Sequence, residues 1–274
     1  MKLWNWLITK IKSPRTHTPA LARTLLRLLP KLDQPRPDLT GHNPEARKKL
    51  NNWRSSEANL RRIIDQLASA GDPTVARACW LLATTVRYQS GRRDDTLAAY
   101  VDALYYDRDN AELWHELLDY AAAAPYIPML VELFKRMPRH VRPDLLGYFV
   151  AISDGRDRMG NLDPDHGHDL REALLLKAQA EGDLASVALL AGEEGRRAEQ
   201  AGDLDSAVRF WRTATQAGST DAAVADRFTI WLVQQGQYAE AAQVLRQALT
   251  TPPKSATVRQ RLEKRLARCE KALN

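Results

Sequence analysis

Residues 222–255 read AAVADRFTIWLVQQGQYAEAAQVLRQALTTPPKS. Phe228, Thr229 and Leu232 recur at helical spacing, Gly236 stops that helix, and Tyr238, Ala241, Leu245 and Ala248 mark a second helix that closes at Pro253. The stretch is two helices joined by a tight turn. Thirty-four residues earlier the pattern repeats: Gly202 precedes Gly236, Ala207 precedes Ala241, and Ala214 precedes Ala248 at that interval. Further upstream, Trp80, Trp114 and Tyr148 are spaced by 34, as are Tyr100 and Phe134. A period of this length marks a helix-turn-helix unit that cannot bury its apolar face alone and must stack on its neighbours.

Working outward, helix pairs are expected at 73–90 with 94–106, 111–123 with 128–137, 144–153 with 169–181, 184–200 with 204–217, and 221–235 with 238–250. A final basic helix is expected at 256–272. Asp72-Pro73, Gly182-Asp183 and Gly202-Asp203 punctuate the series, each offering an Asp to cap the next helix. No segment alternates like a strand. Upstream, Thr18-Pro19 starts a helix with Leu21, Leu25, Leu28 and Leu29 on one face, ending at Pro30. Asp33 to His42 reads as a Pro-rich linker, and Asn43-Pro44-Glu45 opens a helix expected to run through Trp53, Leu60, Ile63, Ile64 and Leu67 to Gly71. This divides the chain into basic N-terminal helices and linker at 1–42, a repeat array at 43–253 and a basic capping helix at 254–274.

The repeat residues resemble the tetratricopeptide repeat. The best copy is 222–255, departing at Ala225; a copy at 188–221 retains Gly195, Gly202, Leu204, Ala207, Trp211 and Ala214 but has Glu194 at an apolar position. The copy at 77–110 holds Trp80, Ala83, Thr84, Gly91, Tyr100 and Ala103, with Arg87 and Thr96 off pattern. The copy at 111–144 keeps Trp114, Leu117 and Phe134, and the one from 145 keeps Tyr148 and then breaks. The resemblance covers about residues 73–253 and implies an all-α, right-handed superhelical solenoid of antiparallel helix pairs with capping helices at both ends. Small residues let helices approach, and Trp80, Trp114, Trp211 and Tyr238 are expected to fill the gaps between them.

By the same resemblance, the first helix of each repeat lines a concave groove. In the first copy that places Leu81, Thr85 and Tyr88 inward, and in the second Glu112, His115 and Asp119. Leu146 and Phe149 follow in the third, then Arg196 and Glu199, and finally Asp226 and Ile230. This mixed surface lacks the Lys and Asn with which some relatives hold a terminal carboxylate. It suits a helix or extended peptide with apolar anchors.

Composition narrows the class. The chain has 274 residues, 44% hydrophobic and 27% charged, as in an ordinary folded protein. Its net charge of +6 is unevenly spread. Residues 1–62 carry 14 Lys or Arg against 4 Asp or Glu, residues 254–274 carry 7 against 2, and residues 63–253 carry 19 against 28. Polyanion contacts are therefore expected at the ends, with Arg47, Lys48, Lys49, Arg54, Arg61 and Arg62 as candidates near the start and Arg259, Arg261, Lys264 and Arg265 near the finish. Residues 2–12 place Trp4, Leu7 and Ile11 on one helical stripe, with Trp6 on the polar side. This is a candidate docking helix for a protein or a membrane surface. No apolar run reaches the ~20 residues of a membrane span, and a cytoplasmic location is expected.

Cys79 and Cys269 have no metal or disulfide spacing. Residues 154–169 read as a loop insertion in which Asp163, Asp165, His166, His168 and Asp169 carry ligand atoms without a recognisable cation-binding order. No metal, cofactor or small-molecule substrate is expected. Phosphate-binding Gly loops, HExxH and GxSxG are all missing. The sequence thus points to a non-enzymatic, bacterial adaptor for a protein partner, with a nucleic-acid-associated subunit or a peripheral membrane scaffold as alternatives.

Overall fold

The protein is described by a computed structural model covering residues 19–52, 56–89, 91–122, 126–154, 164–251, 253 and 255–273, with 164 and 165 in backbone only. Among the described residues the chain is all-helical, with 14 α-helices, one 3-10 turn and no strand. It divides into two compact units, residues 1–170 and 171–274.

In the first unit, α1 (Ala20–Leu28) runs into the 3-10 turn Leu29–Asp33, with Pro30 near its start, where no intrahelical donor is needed. Together they pack across α5 (Arg93–Tyr106) and α7 (Ile127–Arg136). Residues 20–33 therefore belong to the same body as the following helices. The 34–42 segment is held to that body too: Arg36 pairs with Asp109 at 2.7 Å, Tyr105 Oη donates to the Pro35 carbonyl, and Arg108 donates to the Gln34 carbonyl. Asp33 pairs with Arg136, a partner 103 positions downstream.

The helix expected from Asn43 to Gly71 is in fact two, α2 (Pro44–Asn51) and α3 (Glu57–Ser69). Ser56 restarts it, its hydroxyl accepting the Asn59 amide at 3.2 Å, because a Ser side chain competes for backbone donors and favours a helix start over a helix interior. Gly71 closes α3 at φ +61, a conformation that disfavours any residue with a Cβ. Asp72 then accepts from the Asn43 amide, the Thr74 amide and hydroxyl, and both Nε and Nη2 of Arg47. Burial opposes ionisation of Asp72, but these donors outweigh it and hold its carboxyl well below the usual carboxylate range.

α4 (Val75–Gln89) packs on α5, α6 (Ala111–Ala122) on α7, and α8 (Arg142–Ser153) on α6. Trp114, Tyr100, Phe134 and Phe149 are the largest fully enclosed side chains among the described residues of this unit. Trp114 tolerates burial because its indole N–H donates to the Arg108 carbonyl at 2.7 Å. Phe134 and Phe149 meet edge to face at 5.7 Å, and Arg142, itself buried, lies over Phe134 and donates to the carbonyls of Lys135 and Met137 at the end of α7.

The unit boundary falls within α9 (Pro164–Glu181). Residues 164–169, expected as loop, are its first turn and a half, with Pro164 at the start, where proline suits a helix. In the second unit α10 (Leu184–Gln200), α11 (Leu204–Gln216), α12 (Ala222–Gln234), α13 (Tyr238–Leu249) and α14 (Ala256–Leu273) each pack on the next in chain order. Asp183 and Asp203 cap α10 and α11 through the amides of Ser186 and Ser206, as their sequence position predicts. Gly195 lies against Trp211 so closely that a Cβ there would come within 2.5 Å of the indole. Gly236, one of the small residues expected to let helices approach, instead lies at φ +70 with nothing within 4 Å of where its Cβ would stand. Glu194, the off-pattern residue, is buried against the equally buried Arg171.

Candidate partner-binding site

The first helices of the three expected repeats in unit 1, α4, α6 and α8, present a shared polar and aromatic surface. Tyr88 is 76% exposed, the most exposed large hydrophobic side chain among the described residues. Arg87 lies beside it, with Tyr88 and Tyr120 rings 5.6 and 5.3 Å from its guanidinium. Arg87 pairs with Asp119 at 3.1 Å, and Asp119 accepts the Tyr148 hydroxyl at 3.1 Å. Arg87 also bonds the phenol of Tyr100, whose hydroxyl donates to Glu116 at 2.8 Å. Tyr148, Asp119, Arg87, Tyr100 and Glu116 thus form one continuous network across four helices.

Electrostatics follow from this arrangement. Burial works against the Arg87 charge, yet the bonds to Tyr100 and Asp119 dominate and hold its guanidinium above the ordinary range. Burial pushes the Tyr100 phenol up, with Glu116 adding to the effect against the opposing pull of Arg87. Arg87 stays charged and Tyr100 stays protonated, so the network holds one arrangement. His115 packs on Tyr148 with ring centroids 4.8 Å apart. Next to it Trp80, Ala111, Glu112, His115, Glu116 and Leu145 line a pocket of about 350 Å³.

Of the expected groove residues, Tyr88, Glu112 and His115 are exposed and Leu81 and Asp119 half-buried, all on α4 and α6. Thr85, Leu146 and Phe149 are buried and line no open surface. Phe149 is taken up by the edge-to-face contact with Phe134. Trp80, expected in the core with Trp114, is only half-buried and helps to line the pocket; Tyr238 is half-buried as well. The sequence reading missed Trp80, Arg87, Glu116 and Tyr148 as site residues. Arg87 standing at an off-pattern position was the available signal.

In unit 2 the expected groove residues are engaged with one another or with neighbours. Arg196 pairs with Glu193, Glu199 with Arg227 at 3.6 Å, and Ile230 is 37% exposed. Asp226 is nearly buried, because Arg261 and Arg265 of α14 pair with it at 2.6 and 2.8 Å, and with Arg261 it borders a pocket of about 400 Å³. Arg265 also donates to the Thr229 hydroxyl.

That arrangement removes two candidate phosphate contacts. Arg47 is likewise committed to Asp72, Arg61 to Glu57, Arg259 to Glu263, and Lys49 lies 3.4 Å from Glu45. Lys48, Arg62 and Lys264 are exposed; Lys48, Lys49 and Arg62 border an open pocket of about 620 Å³ between α2 and α3. Arg54, Trp4, Trp6, Leu7 and Ile11 lie outside the described residues, as does 155–163 of the expected loop.

Cys79 and Cys269 are free and buried, and burial pushes the Cys79 thiol up to about 12. No group of three or more His, Cys, Asp or Glu among the described residues is placed to hold a metal ion. No helix among them is long and apolar enough to cross a membrane. Compared with known proteins, the chain matches no family model, and no curated protein matches it significantly.

Proposed function

We propose that the chain is a non-enzymatic, TPR-like adaptor whose successive first helices offer a surface to a protein partner. The observation that carries the reading is Tyr88, exposed beside a network that fixes its neighbour Arg87. An exposed aromatic on a rigid polar support is the type of residue that anchors protein interfaces, since it contributes large contact area for little ordering entropy. The stacked helix pairs, the 34-residue spacing and the Gly195–Trp211 approach support the repeat architecture. The commitment of most candidate phosphate contacts to carboxylates favours a protein partner over a polyanion.

Affinity capture from native cells with the tagged chain, followed by mass spectrometry, tests this against Tyr88→Ala. The wild type should recover a stoichiometric partner that Tyr88→Ala loses at least tenfold, while thermal stability stays unchanged because Tyr88 packs on little. Recovery of no specific partner, or equal recovery by both proteins, overturns the reading.

A further inference from the structure

The pocket lined by Trp80, Leu145, Glu112 and Glu116 carries an imbalance that the fold does not resolve. Glu112 and Glu116 are four residues apart on α6 and so share one face of the helix, where like charges repel. Among the described residues, neither pairs with Lys, Arg or His. Glu116 accepts only the neutral Tyr100 hydroxyl, and the exposed Glu112 side chain has no partner. The nearby acid Asp119 is neutralised by Arg87. Two carboxylates without a cation therefore stand at a pocket whose other walls include an aromatic ring and a buried leucine.

Resting on the adaptor reading, we propose that this pocket receives an arginine side chain of the partner. The aliphatic stem would lie against Trp80 and Leu145, and the guanidinium would meet the carboxylates of Glu112 and Glu116. Arginine fits better than lysine for two reasons. Its planar fork bonds carboxylates through paired donors, and its weakly hydrated face is attracted to an indole ring. The volume of about 350 Å³ lies at the small end of ligand pockets, suited to one side chain. A terminal carboxylate, by contrast, would add a third negative charge to the site.

The test uses the full chain, its Trp80 indole N–H followed by NMR, and two blocked heptapeptides, Ala-Leu-Ala-Arg-Ala-Leu-Ala and its citrulline counterpart. Citrulline keeps the shape of arginine without the charge. The arginine peptide should shift the Trp80 signal saturably and bind at least tenfold more tightly than the citrulline peptide. Glu112→Gln/Glu116→Gln should erase that difference while leaving the Tyr100 hydroxyl an acceptor and the helical spectrum intact. Equal binding of the two peptides would make the occupant an apolar anchor and sink the proposal. So would the absence of any Trp80 shift, or an undiminished preference in the double variant. If the peptides fail while Tyr88→Ala still loses its native partner, the pocket assignment falls and the adaptor reading stands. If the arginine preference holds while capture is indifferent to Tyr88, the reverse follows.

Discussion

The helix faces expected to bind a partner dispose of charge differently in the two units. On α4 and α6 of unit 1, Arg87 and Asp119 neutralise one another, but among the described residues Glu112 and Glu116 pair with no Lys, Arg or His. In unit 2, Glu193, Glu194, Glu199 and Asp226 all meet an arginine, and Glu193, Glu194 and Asp226 each meet two. Glu116 and Glu193, at the same place in their 34-residue copies, thus differ: among the described residues Glu193 meets an arginine and Glu116 meets no cation. An acid that finds a basic partner becomes part of the packing, and one that does not remains available for binding. Repeat register sets where a side chain is attached; the neighbouring helix decides whether it is spent.

The largest expected break in this comparison is Glu194→Ala. It removes a buried carboxylate that pairs with the enclosed Arg171, so stability should fall by about 1–3 kcal/mol, read as a loss of midpoint in urea unfolding. Replacing both partners with apolar residues, Arg171→Met with Glu194→Leu, should recover most of that loss. If the single change costs no more than an exposed substitution, the pair is not a packing element and the contrast fails.

A second test concerns the acid that unit 1 does bury. The folded carboxyl of Asp72 lies below the ~3.9 of an unfolded Asp, so its contribution is present above that value and lost as pH falls towards the depressed one. Asp72→Asn should lower stability at neutral pH and flatten its pH dependence below about 4. Parallel acid-unfolding curves for wild type and variant would show that Asp72 is not a source of that dependence.

The smallest effect sharpens the comparison most. Glu112→Gln removes one member of an uncompensated like-charged pair, and should leave stability unchanged or raise it by a few tenths of a kcal/mol. A clear loss of stability would mean that Glu112 is already partnered within the fold.

The helices were readable because their signals are local. Gly182-Asp183 and Gly202-Asp203 stop one helix and cap the next within a few residues, and the observed ends follow them closely. The break at Ser56 was also local, but the apolar spacing through Leu60 and Leu67 masked it. The site was only half legible. Tyr88, His115 and Glu112 are exposed, while Thr85, Leu146, Phe149 and Asp226 are buried, Phe149 against Phe134 of α7 and Asp226 against the arginines of α14. The two off-pattern charges, Arg87 and Glu194, read as departures in sequence because their partners Asp119 and Arg171 are 32 and 23 positions away.

The segment from Ala20 to Asp33 has a consequence for the order of assembly. Most contacts in a stacked array form between neighbours and close early. This segment instead lies on α5 and α7, and its Asp33 waits for Arg136. Synthesis makes it before the surface it covers, so in a chain emerging from the ribosome the earliest of these helices is among the last in its unit to find its place.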